Sequence, residues 1–151
     1  MNDNFDTFID NLQKQIFDEA KEAFGEAGFQ RWRNPKYNGR MTDCDTSASI
    51  TGDCGDTMEI FLKFAGGRVQ SASYVTDGCA SSSICGSFTA EMAVGKNPDE
   101  LTEITGDAVL KKLGKFPEED KHCAFLAAET LQEALRCYMI RETKNENNHD
   151  G

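Results

Sequence analysis

Histidine is almost missing from this chain: of 151 residues only His122 and His149 are histidines. Basic residues are also scarce, 16 against 26 acidic ones, for a formal net charge of −10. That balance argues against non-specific nucleic-acid binding, which needs lysine and arginine to neutralise phosphates. It argues equally against an anionic membrane surface as partner. A basic protein partner would be steered toward such a chain, and a charged solvated face accounts for the same balance. No apolar run approaches the ~18 residues of a membrane span. The opening MNDNFDTFIDNLQ is acidic and amphipathic, where a secretory signal would start basic and turn apolar. These absences imply a cytoplasmic protein. In a reducing compartment six cysteines do not make a disulfide framework. They are free thiols, metal ligands or reactive thiols. Repeats and linker-like stretches are absent too, so residues 1–151 read as a single domain, long enough to bury a core.

What is present has helical and strand periods in a definite order. Phe5, Phe8, Ile9, Leu12, Ile16, Ala20 and Phe24 recur at helical spacing, which predicts an amphipathic helix within residues 1–25, stopped by GEAG. RWRNPKYNGRMTDCD, punctuated by Asn34-Pro35 and Asn38-Gly39, reads as a long loop. Its segment Arg31–Tyr37 is a basic, aromatic patch, either part of a partner surface or a loop anchored by Trp32. MEIFLKF (58–64) and RVQSASYV (68–75), separated by Ala65-Gly66-Gly67, read as a hairpin, and TSASITGD (46–53) offers a third strand. Helical patterns follow over 79–94, in PDELTEI and GDAVLKKLG, and from Cys123 onward, with Ala124, Ala127, Ala128, Leu131, Leu135 and Tyr138 on one face. Residues 143–151 are expected as a flexible polar tail, and His149 within it is given no role. Strands followed by helices predict an α+β domain: a three-stranded antiparallel sheet with helices packed on one face, plus the N-terminal helix.

The cysteines divide into two sets. Cys54 lies in TGDCGD, between glycines that permit a tight turn, with Asp56 two residues on. Cys79 stands where the second long strand ends and a helix begins. Cys123 opens the last helix directly after His122, and a helix N-terminus favours the thiolate that ligates metal. Cys85 and Cys137 fall inside helical patterns and read as small buried hydrophobes, while Cys44 sits in the loop without a reading. The C-x24-C gap between Cys54 and Cys79 is not a zinc-ribbon signature of paired C-x2-C knuckles. Spacing alone therefore leaves a metal site and unrelated thiols as equal readings.

At CGDTMEIFLKF, YVTDGCASSSICGSFTAEMAVGK and KHCAFLAAETLQEAL the chain resembles the NifU/IscU-type iron–sulfur cluster assembly scaffold proteins. The likeness runs from about RWRNPKYNGRM to LQEAL. The family's three cysteines stand in a Cys-Gly-Asp motif, after a glycine and after a histidine, here Cys54-Gly55-Asp56, Gly78-Cys79 and His122-Cys123. The resemblance implies a non-catalytic scaffold that assembles a transient [2Fe–2S] cluster from iron and sulfur and passes it to recipient apoproteins. It implies a cysteine desulfurase partner, zinc at the same residues in the cluster-free form, and a monomer or a cluster-bridged homodimer. Where the family carries a Leu-Pro-Pro-Val-Lys motif gripped by an Hsp70 chaperone and its J-type partner, this chain has FPEED, whose three acids argue against that interaction. ITGDC replaces the Ala-Pro-Ala stretch of many bacterial scaffolds. His122 is kept and no insertion separates the second and third cysteines, which places the chain nearer IscU than the SufU type.

The implied ligands are Cys54, Cys79 and Cys123, with Asp56 or His122 as the fourth, exchanging as sulfur arrives. A carboxylate is a poor ligand for thiophilic cluster iron, and imidazole is intermediate. The resemblance suggests Cys123 as the sulfur acceptor, a role that fits the expectation that a helix start exposes it and lowers its pKa. Neighbouring helical residues point about 100° apart, so His122 and Cys123 are not expected to bind one ion with ideal geometry. Two rivals are a structural zinc protein and a persulfide relay carried by Cys123 alone.

Overall fold

The computed structural model describes residues 3–149, so residues 1–2 of the expected helix and residues 150–151 of the expected tail lie outside the described residues. Three strands, β1 (Thr46–Thr51), β2 (Thr57–Ala65) and β3 (Arg68–Thr76), form one antiparallel sheet in that order. Gly66 and Gly67 both take positive φ, 62° and 78°, which is what a two-residue turn matching the strand twist demands. Side chains alternate across a strand, so β2 turns Met58, Ile60 and Leu62 into the core. Tyr74 and Ala72 of β3 stand opposite Ile60 and Leu62.

The helices lie on this side of the sheet, α2 and α5 directly against it. They are α1 (Asp3–Arg33), α2 (Ala80–Ala93), α3 (Pro98–Leu101), α4 (Gly106–Leu113) and α5 (His122–His149), with a 3-10 turn at Glu118–Asp120. The core-facing side of α5 is small near its start (Ala124, Ala127, Ala128) and larger beyond it (Leu131, Leu135). Farther along, the Tyr138 ring stacks on Phe64 at 3.9 Å. Gly86 does the same service for α2: a β-carbon there would lie 2.6 Å from the Tyr74 ring and 3.0 Å from Met58 Sδ. The other face of the sheet is crossed by the segment after α1. Tyr37 and Gly39 hydrogen-bond to the backbone of Tyr74, and Arg40 and Asp43 pair with Glu59 and Lys63. Phe61, which alternation puts on that face, is buried there.

Three expectations change. The first helix does not end at GEAG. Gly25 breaks its geometry (φ 75°, ψ 175°), and the chain then winds on to Arg33. Phe29 and Trp32 explain the second segment, since both pack edge-on against Phe17 and tilted against each other. Arg31 is consequently not part of an open basic patch; it pairs with Glu91 at 2.8 Å and with Ser87. Most of the apolar stripe of α1 is left uncovered by the rest of the chain. Phe5, Phe8, Ile9, Leu12 and Ile16 stay exposed, and Phe24 turns in against Phe116. Finally, residues 143–149 of the expected tail are helical, continuing α5. Among the described residues no helix is long and apolar enough to cross a membrane.

Overpacking a close helix–sheet contact typically costs about 1–3 kcal/mol. Gly86→Ala is expected to destabilise the fold by that amount, read as a lowered midpoint of thermal unfolding. An unchanged midpoint would mean that α2 does not ride this closely on Tyr74.

Candidate metal centre

The site is built where the β1–β2 turn meets the first turns of α2 and α5. Residues 52–56 form the tight turn that the glycines permit and close on themselves. Gly52 N–H donates to Asp56 C=O at 2.9 Å, Gly55 N–H donates to Gly52 C=O at 3.0 Å, and Gly55 adopts φ 91°. The turn therefore does not aim its two ligand-type side chains alike. Cys54 is exposed at the tip, where it lines an open groove of about 490 Å3 with His122, Phe125 and Glu129. Asp56 turns inward toward α2, where its Oδ2 accepts a hydrogen bond from Ser82 Oγ at 3.0 Å.

Cys79 is the N-cap of α2, in extended conformation and with no side-chain capping bond, so its exposed thiol is not spent on the helix. Gly78, just before it, makes the approach of Asp56 possible. A β-carbon at Gly78 would lie 2.7 Å from Asp56 Oδ2 and 2.6 Å from Ser82 Oγ. Ser82 Oγ also lies 3.4 Å from Cys123 Sγ. One hydroxyl thus ties the strand-side carboxylate to the start of α5.

His122 is exposed and its Nδ1 lies 3.1 Å from the carbonyl oxygen of Glu119. A carbonyl only accepts, so Nδ1 carries the proton and Nε2 presents a lone pair, the arrangement typical of metal-binding histidines. Nε2 is 3.7 Å from Cys123 Sγ. Two ligands at ordinary zinc distances and a tetrahedral angle stand about 3.6 Å apart. The divergence of the two side chains therefore does not keep these neighbours from reaching one ion: the ring is long enough to swing its far nitrogen back over the sulfur. The five candidates do not, however, close round one point. Among the described residues no three His, Cys, Asp or Glu side chains are gathered as a metal cage.

One expectation about Cys123 is corrected. It is not exposed but 1 % accessible, and its pKa is pushed up to about 11, not lowered. Burial is the main cause. The Ser82 hydrogen bond opposes it, and the charges of Cys79, Asp120 and Cys54 add to it. The helix N-terminus argument failed because the face of α5 that carries Cys123 is turned into the protein, away from water, while His122 beside it stays exposed. Cys85, expected as a core thiol, is one: fully buried, with its pKa raised well above the ordinary value by the same cause. Cys137 is only half-buried and so is Cys44.

Sequence reasoning passed over Ser82 and Asp120, and named Gly78 only as the neighbour of Cys79. Ser82 lies three residues after the capping Cys79, which puts both on one helix face, and that spacing was the available signal. Asp120 accepts from Ser81 Oγ at 2.7 Å, bracing the approach to α5 against α2. No pattern pointed to it, because it sits within FPEED.

An α+β domain that brings thiols from three separate elements to one end defines a recognisable class. The chain belongs to the NifU-like N-terminal domain family, whose description matches residues 24–145. It is 34 % identical over 122 residues to the iron–sulfur cluster assembly scaffold protein IscU 1 of Archaeoglobus fulgidus, covering 80 % of both chains. It is 27 % identical over 136 residues to the iron–sulfur cluster assembly enzyme IscU of Drosophila melanogaster, covering 87 % of this chain and 88 % of that one. In fold it is similar to the N-terminal NifU-like protein of Brucella abortus, with a TM-score of 0.60 at 20 % identity over 77 % of this chain and 94 % of that one.

The thiolate is the reactive form of cysteine, so burial and a raised pKa both slow alkylation. In the reduced, metal-free protein at neutral pH, Cys54 and Cys79 are expected to react with iodoacetamide at least about tenfold faster than Cys123. The Cys123 rate should climb as pH rises toward about 11. Peptide mass spectrometry over time reads each site, and equal rates at Cys54 and Cys123 would contradict the burial.

Proposed function

We propose that this chain is a non-catalytic scaffold on which a labile [2Fe–2S] cluster is assembled from iron and desulfurase-derived sulfur, then transferred to recipient apoproteins. The observation that carries the reading is the placing of three thiols on three independent elements, beside one carboxylate and one imidazole. Soft thiolates suit iron–sulfur clusters and zinc alike. Cys54, Cys79 and Cys123 serve as ligands, with the fourth position taken by Asp56 or His122. The same set holds zinc when no cluster is bound. The names of the Archaeoglobus and Drosophila relatives support the assembly role.

Lability follows from the ligand chemistry. A carboxylate corner binds cluster iron weakly, and the exposed Cys54, Cys79 and His122 leave that side open to a desulfurase and to an acceptor. Cys123 accepts sulfur in this reading, and its burial means that delivery requires the start of α5 to swing the thiol outward. An Hsp70 chaperone with its J-type partner is not proposed, since Phe116 is in the core and Asp120 is held by Ser81.

The test is the visible absorption of the protein after anaerobic incubation with ferrous iron, cysteine and a cysteine desulfurase. Sulfide-to-iron charge-transfer bands that disappear as an added apo-ferredoxin becomes active are the expected result. A blank spectrum with zinc retained would replace the proposal with a structural zinc site, and persulfide on Cys123 without bands would replace it with a sulfur relay. Asp56→Ala is expected to hold its cluster longer and to transfer it about tenfold more slowly, on the scale by which metal-site partners alter binding. Faster loss than in the unsubstituted protein would refute the weak-corner account.

A further inference from the structure

Half of the candidate centre is fixed and half is open. Cys54, Cys79 and His122 are exposed, whereas Ser82 and Cys123 are 0 % and 1 % accessible and Asp56 is half-buried against them. The fixed half is held together by Ser82, which is not itself one of the candidate ligands. We infer that Ser82 is a positioning residue of the metal site: its buried hydroxyl, seated against the Cys123 sulfur, latches the Asp56 carboxylate so that the weak ligand is presented beside the third thiol before any metal arrives. The inference rests on the ligand assignment proposed above and adds to it the group that fixes one ligand.

The geometry is specific. Ser82 Oγ lies 3.0 Å from Asp56 Oδ2 and 3.4 Å from Cys123 Sγ. A hydroxyl carries one proton and donates to one partner at a time. The carboxylate is the nearer and, being charged, the stronger acceptor. The sulfur then packs against the oxygen and fixes its rotamer. Buried polar groups without partners are costly, so Ser82 needs Asp56 as much as Asp56 needs Ser82. Gly78 supplies an independent sign that the arrangement is built. Its missing side chain is the space in which the carboxylate and the hydroxyl meet, because a β-carbon would stand within 2.7 Å of both. Without the latch, Asp56 sits at the foot of a glycine-rich turn and is free to rotate into solvent. Binding then carries the added cost of ordering it.

Partners that orient metal ligands typically change affinity by about 10–100-fold when removed. Cobalt(II) is the probe, because its thiolate charge-transfer and ligand-field bands report the ligand set directly and need neither desulfurase nor cluster. Ser82→Ala is expected to weaken cobalt binding about tenfold or more and to shift the ligand-field bands toward those of Asp56→Ala. In the Asp56→Ala background the same substitution should change affinity by about twofold or less, since residues acting through one another are non-additive. Gly78→Ala keeps the hydroxyl and crowds the latch, and it should give the same spectrum as Ser82→Ala. Circular dichroism of each variant confirms the fold, and where Ser82→Ala does not fold, Gly78→Ala carries the cycle with Asp56→Ala. An equal loss with and without Asp56, or no loss at all, overturns the positioning role while leaving the ligand assignment standing. Cobalt bands without thiolate character in the unsubstituted protein overturn the assignment, and the inference with it.

Discussion

The contact on which this end of the molecule depends is the meeting of three backbones around Ser82. The β1–β2 turn brings Asp56, the first turn of α2 brings Ser82, and α5 brings Cys123, so that a carboxylate, a hydroxyl and a thiol stack within 3.4 Å steps. Each backbone is delivered by something farther away. The turn is closed by its own hydrogen bonds and pinned at its exit, where Thr57 N–H donates to Asp77 Oδ1 at 2.7 Å. The position of α2 is set by Gly86 lying on Tyr74, and its start is tied to the approach of α5 through Ser81 and Asp120. The sheet, the helix layer and the site are therefore one construction: moving α2 off β3 would lift Ser82 away from both of its neighbours.

Charge sets the second constraint. Beyond burial, Asp120 and the thiols of Cys54, Cys79, Cys85 and Cys123 stand close enough that the negative forms oppose one another, which is part of why Cys85 and Cys123 resist ionisation. A protein interior does not collect thiolates without a counter-charge. A bound cation reverses this logic, because coordination deprotonates a thiol outright. Burial that makes Cys123 a sluggish nucleophile in the metal-free protein is thus compatible with a ligand role once a metal ion supplies the charge. The two properties belong to different states of the site.

Much of this was legible in the sequence, and the failures have physical causes. The hairpin was readable because Gly-Gly between two alternating runs has few other uses, and Cys79 as a helix start was readable from the change of period. The second segment of α1 was missed because Gly25 looks like a terminator. The turns beyond it are stabilised by tertiary contact of Phe29 and Trp32 with Phe17, which local pattern does not contain. Burial of Cys123 was missed for the same reason: a helix N-terminus is exposed by default, and here the face that carries Cys123 is turned into the protein. The closeness of His122 Nε2 to Cys123 Sγ was not visible in the sequence, because an angle between neighbouring Cα–Cβ bonds ignores the reach of an imidazole. Ser82 was overlooked because serine is not a ligand type, although its offset from Cys79 placed it on the right face.

The split between a fixed and an open half has a consequence for how a scaffold can be both specific and loose. A site with all its ligands preorganised binds tightly and releases slowly. A site with none spends its binding energy on ordering loops. Here the ordered part is the pair least suited to holding a cluster alone, a carboxylate and a deeply set thiol, while the stronger, accessible thiols Cys54 and Cys79 lie on a turn tip and a helix cap. Ordering the weak ligand gives the site its register without giving it much grip. Under the ligand assignment proposed above, the grip would come from two thiols that solvent can reach, so that an acceptor offering its own cysteines would compete for the iron at the exposed corners first. On that proposal retention and release would fall to different elements of the fold, and the balance between them would be altered at the β1–β2 turn without disturbing the core beneath α2 and α5.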